Sequence, residues 1–289
     1  MFGTMKLHAI HTGNFKLDGG AMFGVVPKQL WERTNPADDL NLCTWAMRCL
    51  LIEDGDRLTL VDTGIGDKQS EKFFSHYHLH GEDTMDASLA AAGFHRDDIT
   101  DVFLTHMHFD HVGGAVKREG DLLVPAFKNA QFWSNARHWD WAVKPNAREK
   151  ASFLAENILP LQESGQLRFV DAPEVPKGDA QRVTTELGFD AFVVNGHTEA
   201  QMCPILDVDG ETFVYMADLL PSVGHIPLPY VMGYDTRPLL TLGEKKSVLG
   251  EAAEKGYRLI LEHDAVNETC VLQMTEKGPR LQEAMPLNV

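Results

Sequence analysis

Three imidazoles and a carboxylate fall within six residues of the run Thr105-His106-Met107-His108-Phe109-Asp110-His111-Val112-Gly113-Gly114. No other stretch restricts the fold as tightly. Imidazole nitrogen and carboxylate oxygen are donors that zinc and similar borderline divalent ions take. The apolar run at 99–104 reads as a short buried strand, so these donors begin where a strand ends inside the protein. In extended chain His106 and His108 point the same way, because side chains alternate with period two. Asp110 and His111 then need a turn to reach a second position beside the first. Gly113-Gly114 suits a tight turn or a close backbone approach.

The rest of the chain reads as strands and helices in two rounds. Residues 6–12, 46–53 and 58–61 are apolar segments, with Asp54-Gly55-Asp56 fitting a hairpin turn between the last two. Residues 86–92 have helical spacing ending at Gly93, and 135–159 reads as helix with Trp139, Trp141, Phe153 and Leu154 on buried faces. The second round gives strands near 167–170, 190–194, 202–208 and 212–216, a helix over 238–255 and a strand at 258–262. No Ser/Gly linker divides the rounds. The pattern predicts an α/β chain of one domain, residues 1–289, with two mixed β-sheets packed together and helices outside. The segment 13–41 carries Gly19-Gly20, Pro27 and the large apolar residues Met22, Phe23 and Trp31. It reads either as a loop packed on the core, or as one that covers a pocket or joins a homodimer interface.

A formal charge of -16 argues against nucleic acid or an anionic membrane as partner, since phosphate would be repelled by most of the surface. Two bound divalent cations would offset about four of those charges locally. Cys43, Cys49, Cys203 and Cys270 form no CxxC pair and read as reduced, buried, small hydrophobes. Residues 1–14 lack a long apolar run, and nothing approaches a membrane span, which makes the cytoplasm the expected location.

The chain has thirteen histidines, and most need no function. His8, His11, His95 and His138 read as solvated or satisfied core residues. So does the run His76-x-His78-x-His80, which lies in a polar stretch with no buried strand before it.

The segment 105–114 resembles the HxHxDH signature of the metallo-β-lactamase fold superfamily, an αββα sandwich. Further segments resemble that family's pattern in order: Asp62-Thr63-Gly64 as its early turn, Gly196-His197-Thr198, the strand ending at Asp218, and the strand ending at His263. The resemblance spans about residues 46 to 264. It implies one metal on His106, His108 and His197, a second on Asp110, His111 and His263, and Asp218 bridging the two. Asp62 would sit beneath the histidine loop and fix ring orientation. The two ions would be zinc first, with iron, cobalt or manganese as alternatives.

In such a centre two metals share a hydroxide that attacks an ester-type bond, and Asp110 moves a proton from nucleophile to leaving group. Residues 105–114, 146–159 and 217–235 are similar to the branch that holds N-acyl-homoserine lactonases and methyl parathion hydrolase. The expected substrate is therefore a small lactone, as in quorum quenching, with an organophosphate triester second. The family's lactonases place a tyrosine three residues after the bridging aspartate, where this chain has Pro221. Ser222 and His225 are the nearest polar replacements, and Met22 and Phe23 would form an apolar wall. Redox members usually carry a flavin or rubredoxin-like domain, for which this chain has neither length nor CxxC. A non-catalytic metal-binding module would need only the four closed ligands of structural zinc.

Overall fold

The computed structural model describes residues 5–174 and 179–287; the first four residues of the stretch read for a leader lie outside that range. Among the described residues, the strands Lys6–Asp18, Leu42–Asp54, Arg57–Val61, Asp101–Phe103, Gln131–Asn135 and Leu167–Val170 lie side by side in chain order. A second sheet runs in chain order through Gln181–Thr184, Asp190–Val194, Gln201–Val208, Glu211–Tyr215, Arg258–Ile260, Thr269–Thr275 and Gly278–Met285. Both sheets are mixed. Arg57–Val61, Asp101–Phe103, Gln131–Asn135 and Leu167–Val170 pair in parallel, as do Glu211–Tyr215 and Arg258–Ile260, while antiparallel partners complete each sheet.

Alternation along the strands decides which residues face which layer. Leu50, Ile52, Val61 and Phe103 of the first sheet pack against Val193, Met202, Phe213 and Tyr215 of the second. Their neighbours Leu51, Leu60 and Val102 point outward, onto Leu89, Trp139, Ile158 and Leu161 of the helices Met85–Ala91, Ala136–Ala142 and Ala155–Glu163. Phe192, Val194 and Val214 likewise meet Val248, Leu249 and Ala252 of the helix Pro238–Lys255. Strands apolar on both faces are what a sheet covered on both sides requires. The layers are helix, sheet, sheet, helix, as the resemblance implied. No helix among the described residues is long and apolar enough to cross a membrane.

Three parts differ from the sequence reading. The helix expected over 135–159 is two helices, split where Pro145 intervenes and Glu149 turns inward to 3% exposure. Past residue 264 the chain adds the hairpin Thr269–Thr275 and Gly278–Met285. The first strand runs on to Asp18, with a register shift between His11 and Asn14 where Gly13 takes φ 95°. Asp18 then caps the helix Gly19–Phe23 by accepting from Ala21 N–H at 2.8 Å, and Met22, Phe23 and Trp31 are buried. All four cysteines are buried and unbridged.

Parallel pairing puts the carboxyl ends of Arg57–Val61 and Asp101–Phe103 at one edge, and the same holds for Glu211–Tyr215 and Arg258–Ile260. The sheets are stitched together there. Met202 N–H donates to Thr105 O at 2.9 Å, and Ala46 and Arg48 donate to His263 O and Glu262 O at 3.1 Å. The early Asp-Thr-Gly turn locks the histidine segment in place. Thr63 N–H and hydroxyl both reach His111 O at 2.8 Å, and Gly114 N–H donates to Gly64 O at 2.9 Å. A Cβ on Gly114 would stand 2.2 Å from Thr63 O, a backbone atom that cannot yield. Gly114→Ala should therefore cost about 3 kcal/mol or more of stability, at or beyond the upper end of ordinary overpacking. Urea unfolding of the metal-loaded protein measures it, and a cost under about 1 kcal/mol would show that the turn can open.

Candidate metal centre

Each strand end supplies its side chain for a local reason. Asp62, just past Arg57–Val61, takes φ 58° and accepts from Thr105 N–H at 2.8 Å and Thr105 Oγ1 at 2.7 Å. That fixes the entry to His106. His106 and His108 follow in extended chain, and a single helical turn, Phe109–Val112, then swings Asp110 and His111 alongside. On the second sheet Glu244 accepts from Asn195 N–H at 2.6 Å and Gly196 N–H at 3.0 Å, holding the turn that presents His197. Asp218 leaves a short 3-10 turn, Ala217–Leu219, and His263 follows Arg258–Ile260.

The result is two adjoining groups of donors, His106, His108, His197 and Asp218 in one and Asp110, His111 and His263 in the other, all buried. His108 Nδ1 lies 3.1 Å from both His106 Nε2 and His197 Nε2, and His111 Nε2 lies 3.2 Å from His263 Nε2. Asp218 spans the groups: Oδ2 is 2.9 Å from His197 Nε2, and Oδ1 is 2.9 Å from His263 Nε2.

These contacts fit divalent cations. Two nitrogens on one tetrahedral zinc, each at about 2.05 Å, stand about 3.3 Å apart. The imidazole nitrogens converge at nearly that spacing. Asp218 Oδ1 is buried without an aligned hydrogen bond, as expected of an oxygen aimed at a cation. The outer ring nitrogens are also occupied: His197 Nδ1 meets Asp235 Oδ1 at 2.8 Å, His263 Nδ1 donates to Ala46 O at 2.8 Å, and His106 Nδ1 meets Thr105 Oγ1 at 3.1 Å. His111 Nδ1 lies 3.1 Å from both Asp62 Oδ2 and Glu262 Oε2. Oxygens on the outer nitrogens fix each tautomer so that the inner nitrogen presents its lone pair.

The charges follow the same logic. Burial and the neighbouring imidazoles of His111 and His108 hold His106 well below the ordinary histidine range. Burial alone would push Asp218 up, but His197, His111 and His263 win and keep it ionised, well below the usual carboxylate range.

Asp110, Asp218 and His108, at 7–8% exposure, are the most accessible of the seven donors. They open onto a cavity of about 440 Å³ whose walls include Leu17, Met22, Tyr77, Phe109, Arg148, Met232 and Tyr234. Larger hollows of about 520 and 680 Å³ lie elsewhere and touch none of the seven.

Residues 48–254, well over half of the chain, match the family model of the metallo-beta-lactamase superfamily. The chain belongs to the metallo-beta-lactamase superfamily. It resembles the N-acyl homoserine lactonase AiiA of Bacillus thuringiensis subsp. kurstaki, 29% identical over 119 residues, 38% of this chain and 43% of that one. The match thus spans under half of that relative's length. A probable metal-dependent hydrolase from Staphylococcus aureus superposes with a TM-score of 0.86 at 26% identity, covering 100% of this chain and 99% of that one. AidC, a dizinc quorum-quenching lactonase, superposes with a TM-score of 0.79 at 22% identity over 100% and 97% of the two chains, a likeness of fold.

The predicted substrate contacts are distributed differently from the sequence reading. Met22 lines the cavity, but Ser222, His225 and Phe23 do not. They are packed behind it. Ser222 Oγ is 2.9 Å from His225 Nδ1, His225 Nε2 is 3.0 Å from Met22 O, and the His225 ring stacks on Phe23 at 4.3 Å. Burial pushes His225 down to about 3, so the ring is neutral and can donate to one partner while accepting from the other. This unit clamps the helix Gly19–Phe23 onto the turn after Asp218, and the wall residue Met22 is its product.

Other residues escaped the sequence reading. His138 is a satisfied core histidine, but its partners belong to the metal segments: Met107 N–H donates to its Nε2 at 2.8 Å, and its Nδ1 lies 2.6 Å from Glu199 O. Glu149 accepts from Thr198 Oγ1 at 2.6 Å and Trp141 Nε1 at 2.7 Å, and lies 3.5 Å from His108 Nε2. Burial pushes its carboxyl up, yet His108, Thr198 and Asn146 prevail and hold it at about 2. A lone acid within a run that reads as helix carries no signal of this in sequence. Glu149→Gln would keep an acceptor for Trp141 but turn an amide toward His108. Metal affinity should fall roughly tenfold to hundredfold. Competition with a chromophoric chelator reads this directly, and unchanged affinity would leave Glu149 a purely structural residue. His76, His78 and His80 are exposed and belong to neither donor group.

Proposed function

We propose that this single-domain protein hydrolyses an ester-type bond, a lactone foremost, at a pair of divalent cations, zinc above others. His106, His108 and His197 would hold one ion, Asp110, His111 and His263 the other, with Asp218 between them. The observation that carries the reading is the pair of converging nitrogen clusters sharing one carboxylate at the floor of a largely apolar cavity. Cations bound there supply Lewis acidity and a water made acidic near neutral pH. The chain's own part is orientation and proton handling. Asp110, the most exposed of the seven donors and 3.7 Å from His111 Nε2, would accept a proton and return it to a leaving group. Met22, Leu17, Phe109 and Met232 exclude water from one side of the substrate.

A phosphotriester is the second reading, favoured by Pro221 at the lactonase tyrosine position and by the burial of Ser222 beside it. The deciding experiment is a screen of zinc-, cobalt- and manganese-loaded protein against lactones, phosphotriesters, thioesters and β-lactams. Turnover of a lactone at least tenfold better in kcat/KM than of any other class is the expected result. A preference for β-lactams or thioesters would overturn it.

A further inference from the structure

Pro221, Ser222 and His225 are not among the residues that line the cavity, but two tyrosines are. Tyr77 and Tyr234 both line it, and they come from different segments: Tyr77 from the turn after the helix Glu71–Phe74, Tyr234 from the loop ahead of Asp235. Neither phenol oxygen is taken up by another group among the described residues, whereas the buried Tyr215 gives its hydroxyl to Arg48 O at 2.6 Å. Tyr77 is firmly held. Its ring lies 4.7 Å from that of Phe109 and 5.0 Å from that of Phe73, and its carbonyl accepts from Lys16 N–H at 2.7 Å. Phe109 immediately precedes Asp110, so this ring stands against the donor segment itself. Tyr234 is 40% exposed, at the mouth, and Arg148 ties its loop in place by donating to Gly233 O. A phenol ordinarily ionises near 10, and burial pushes that of Tyr234 up to about 12. Both keep their protons and act as donors.

We infer that Tyr77 donates a hydrogen bond to the scissile group beside Asp110, while Tyr234 reads a second acceptor oxygen nearer the mouth. The inference rests on the hydrolase reading above and narrows its substrate: an ester or lactone carrying a further carbonyl, such as an acylamino group, with an apolar tail along Leu17, Met22 and Met232. A phenol engaged mainly in the transition state affects kcat, and one that binds ground and transition states alike affects KM.

The test uses metal-loaded full-length protein with Tyr77→Phe, Tyr234→Phe and, as a remote control, Tyr257→Phe. Two substrates of matched length are compared, an N-acylated homoserine lactone and an alkyl lactone without the amide. Tyr77→Phe should lower kcat by about tenfold to hundredfold on both. Tyr234→Phe should raise KM roughly fivefold or more for the acylated lactone and leave the alkyl lactone within twofold. Unchanged constants for both variants overturn the inference, and equal loss on both substrates for Tyr234→Phe overturns its role as reader of the second acceptor. If the wild type cleaves phosphotriesters but no lactone, the lactone reading fails separately. Tyr77→Phe is then judged on the phosphotriester: a tenfold loss in kcat upholds its contact and none overturns it. A wild type that cleaves neither class overturns both readings.

Discussion

Asp218→Asn should lower kcat/KM by about a thousandfold or more and leave the protein unable to retain two metal equivalents. The argument is geometric. Asp218 Oδ2 stands 2.9 Å from His197 Nε2 and 3.7 Å from His106 Nε2, on one side, and Oδ1 stands 2.9 Å from His263 Nε2 on the other. Among the described residues no other carboxylate reaches both groups; Asp110 belongs to the second alone. An asparagine can offer one oxygen to one group but must turn an amide N–H₂ toward the other, which repels a cation. Losing a metal forfeits several kcal/mol of transition-state charge stabilisation, and about 4 kcal/mol corresponds to three decades of rate. Elemental analysis after gel filtration, run beside the kinetics, separates loss of metal from loss of chemistry. If the variant keeps two equivalents and near wild-type turnover, the bridging assignment is wrong.

What the sequence made legible was whatever clusters locally or repeats with a period. The segment 105–114 disclosed its chemistry because the donors are contiguous, and the apolar runs disclosed two sheets because each strand is covered on both faces. His197, Asp218 and His263 are isolated in the chain, and only their likeness to a known pattern joined them to it; in space they are brought in by strand ends from the second sheet. The misplacements share a cause. Ser222 and His225 are polar residues next to the site in sequence, yet the 3-10 turn after Asp218 directs them into packing against Phe23. Tyr77 was hidden between His76 and His78, whose polarity made the whole stretch read as surface. It faces inward only because Phe73, Phe74 and Tyr77 share a turn that packs on Phe109. Glu149 reads as a helix position, and nothing local in sequence reveals that Thr198, Trp141 and Asn146 gather on it from three directions.

Stripping the metals with a chelator should abolish hydrolysis, lower Tm by on the order of 10 °C, and do so increasingly as pH rises. The size follows from linkage: metal at a thousandfold excess over its Kd stabilises by about 4 kcal/mol, and a chain of this length shifts by about 2 °C per kcal/mol. The pH dependence follows from the imidazoles. Burial works against charge on His197 and His263, but Asp218 beside each outweighs it, lifting His197 to about 10 and His263 to about 9. An unfolded histidine titrates near 6.5. With folded values raised, the folded, stripped protein binds more protons than the unfolded chain between about pH 6.5 and 9. The stability contributed by these ion pairs is therefore complete below about 6.5 and is lost as pH climbs through the folded values. Metal must displace the same protons, so its apparent affinity rises over that window. The two trends act together: from pH 6.5 to 8.5 the stripped protein should melt progressively lower, and the gap to the zinc-loaded form should widen. Differential scanning calorimetry of both forms at three pH values tests this, with the protons released on zinc binding counted by titration in buffers of different ionisation enthalpy. A gap that narrows with pH, or zinc binding without proton release at pH 7.5, would mean that these imidazoles are neutral before the metal arrives and that Asp218 does not govern their charge.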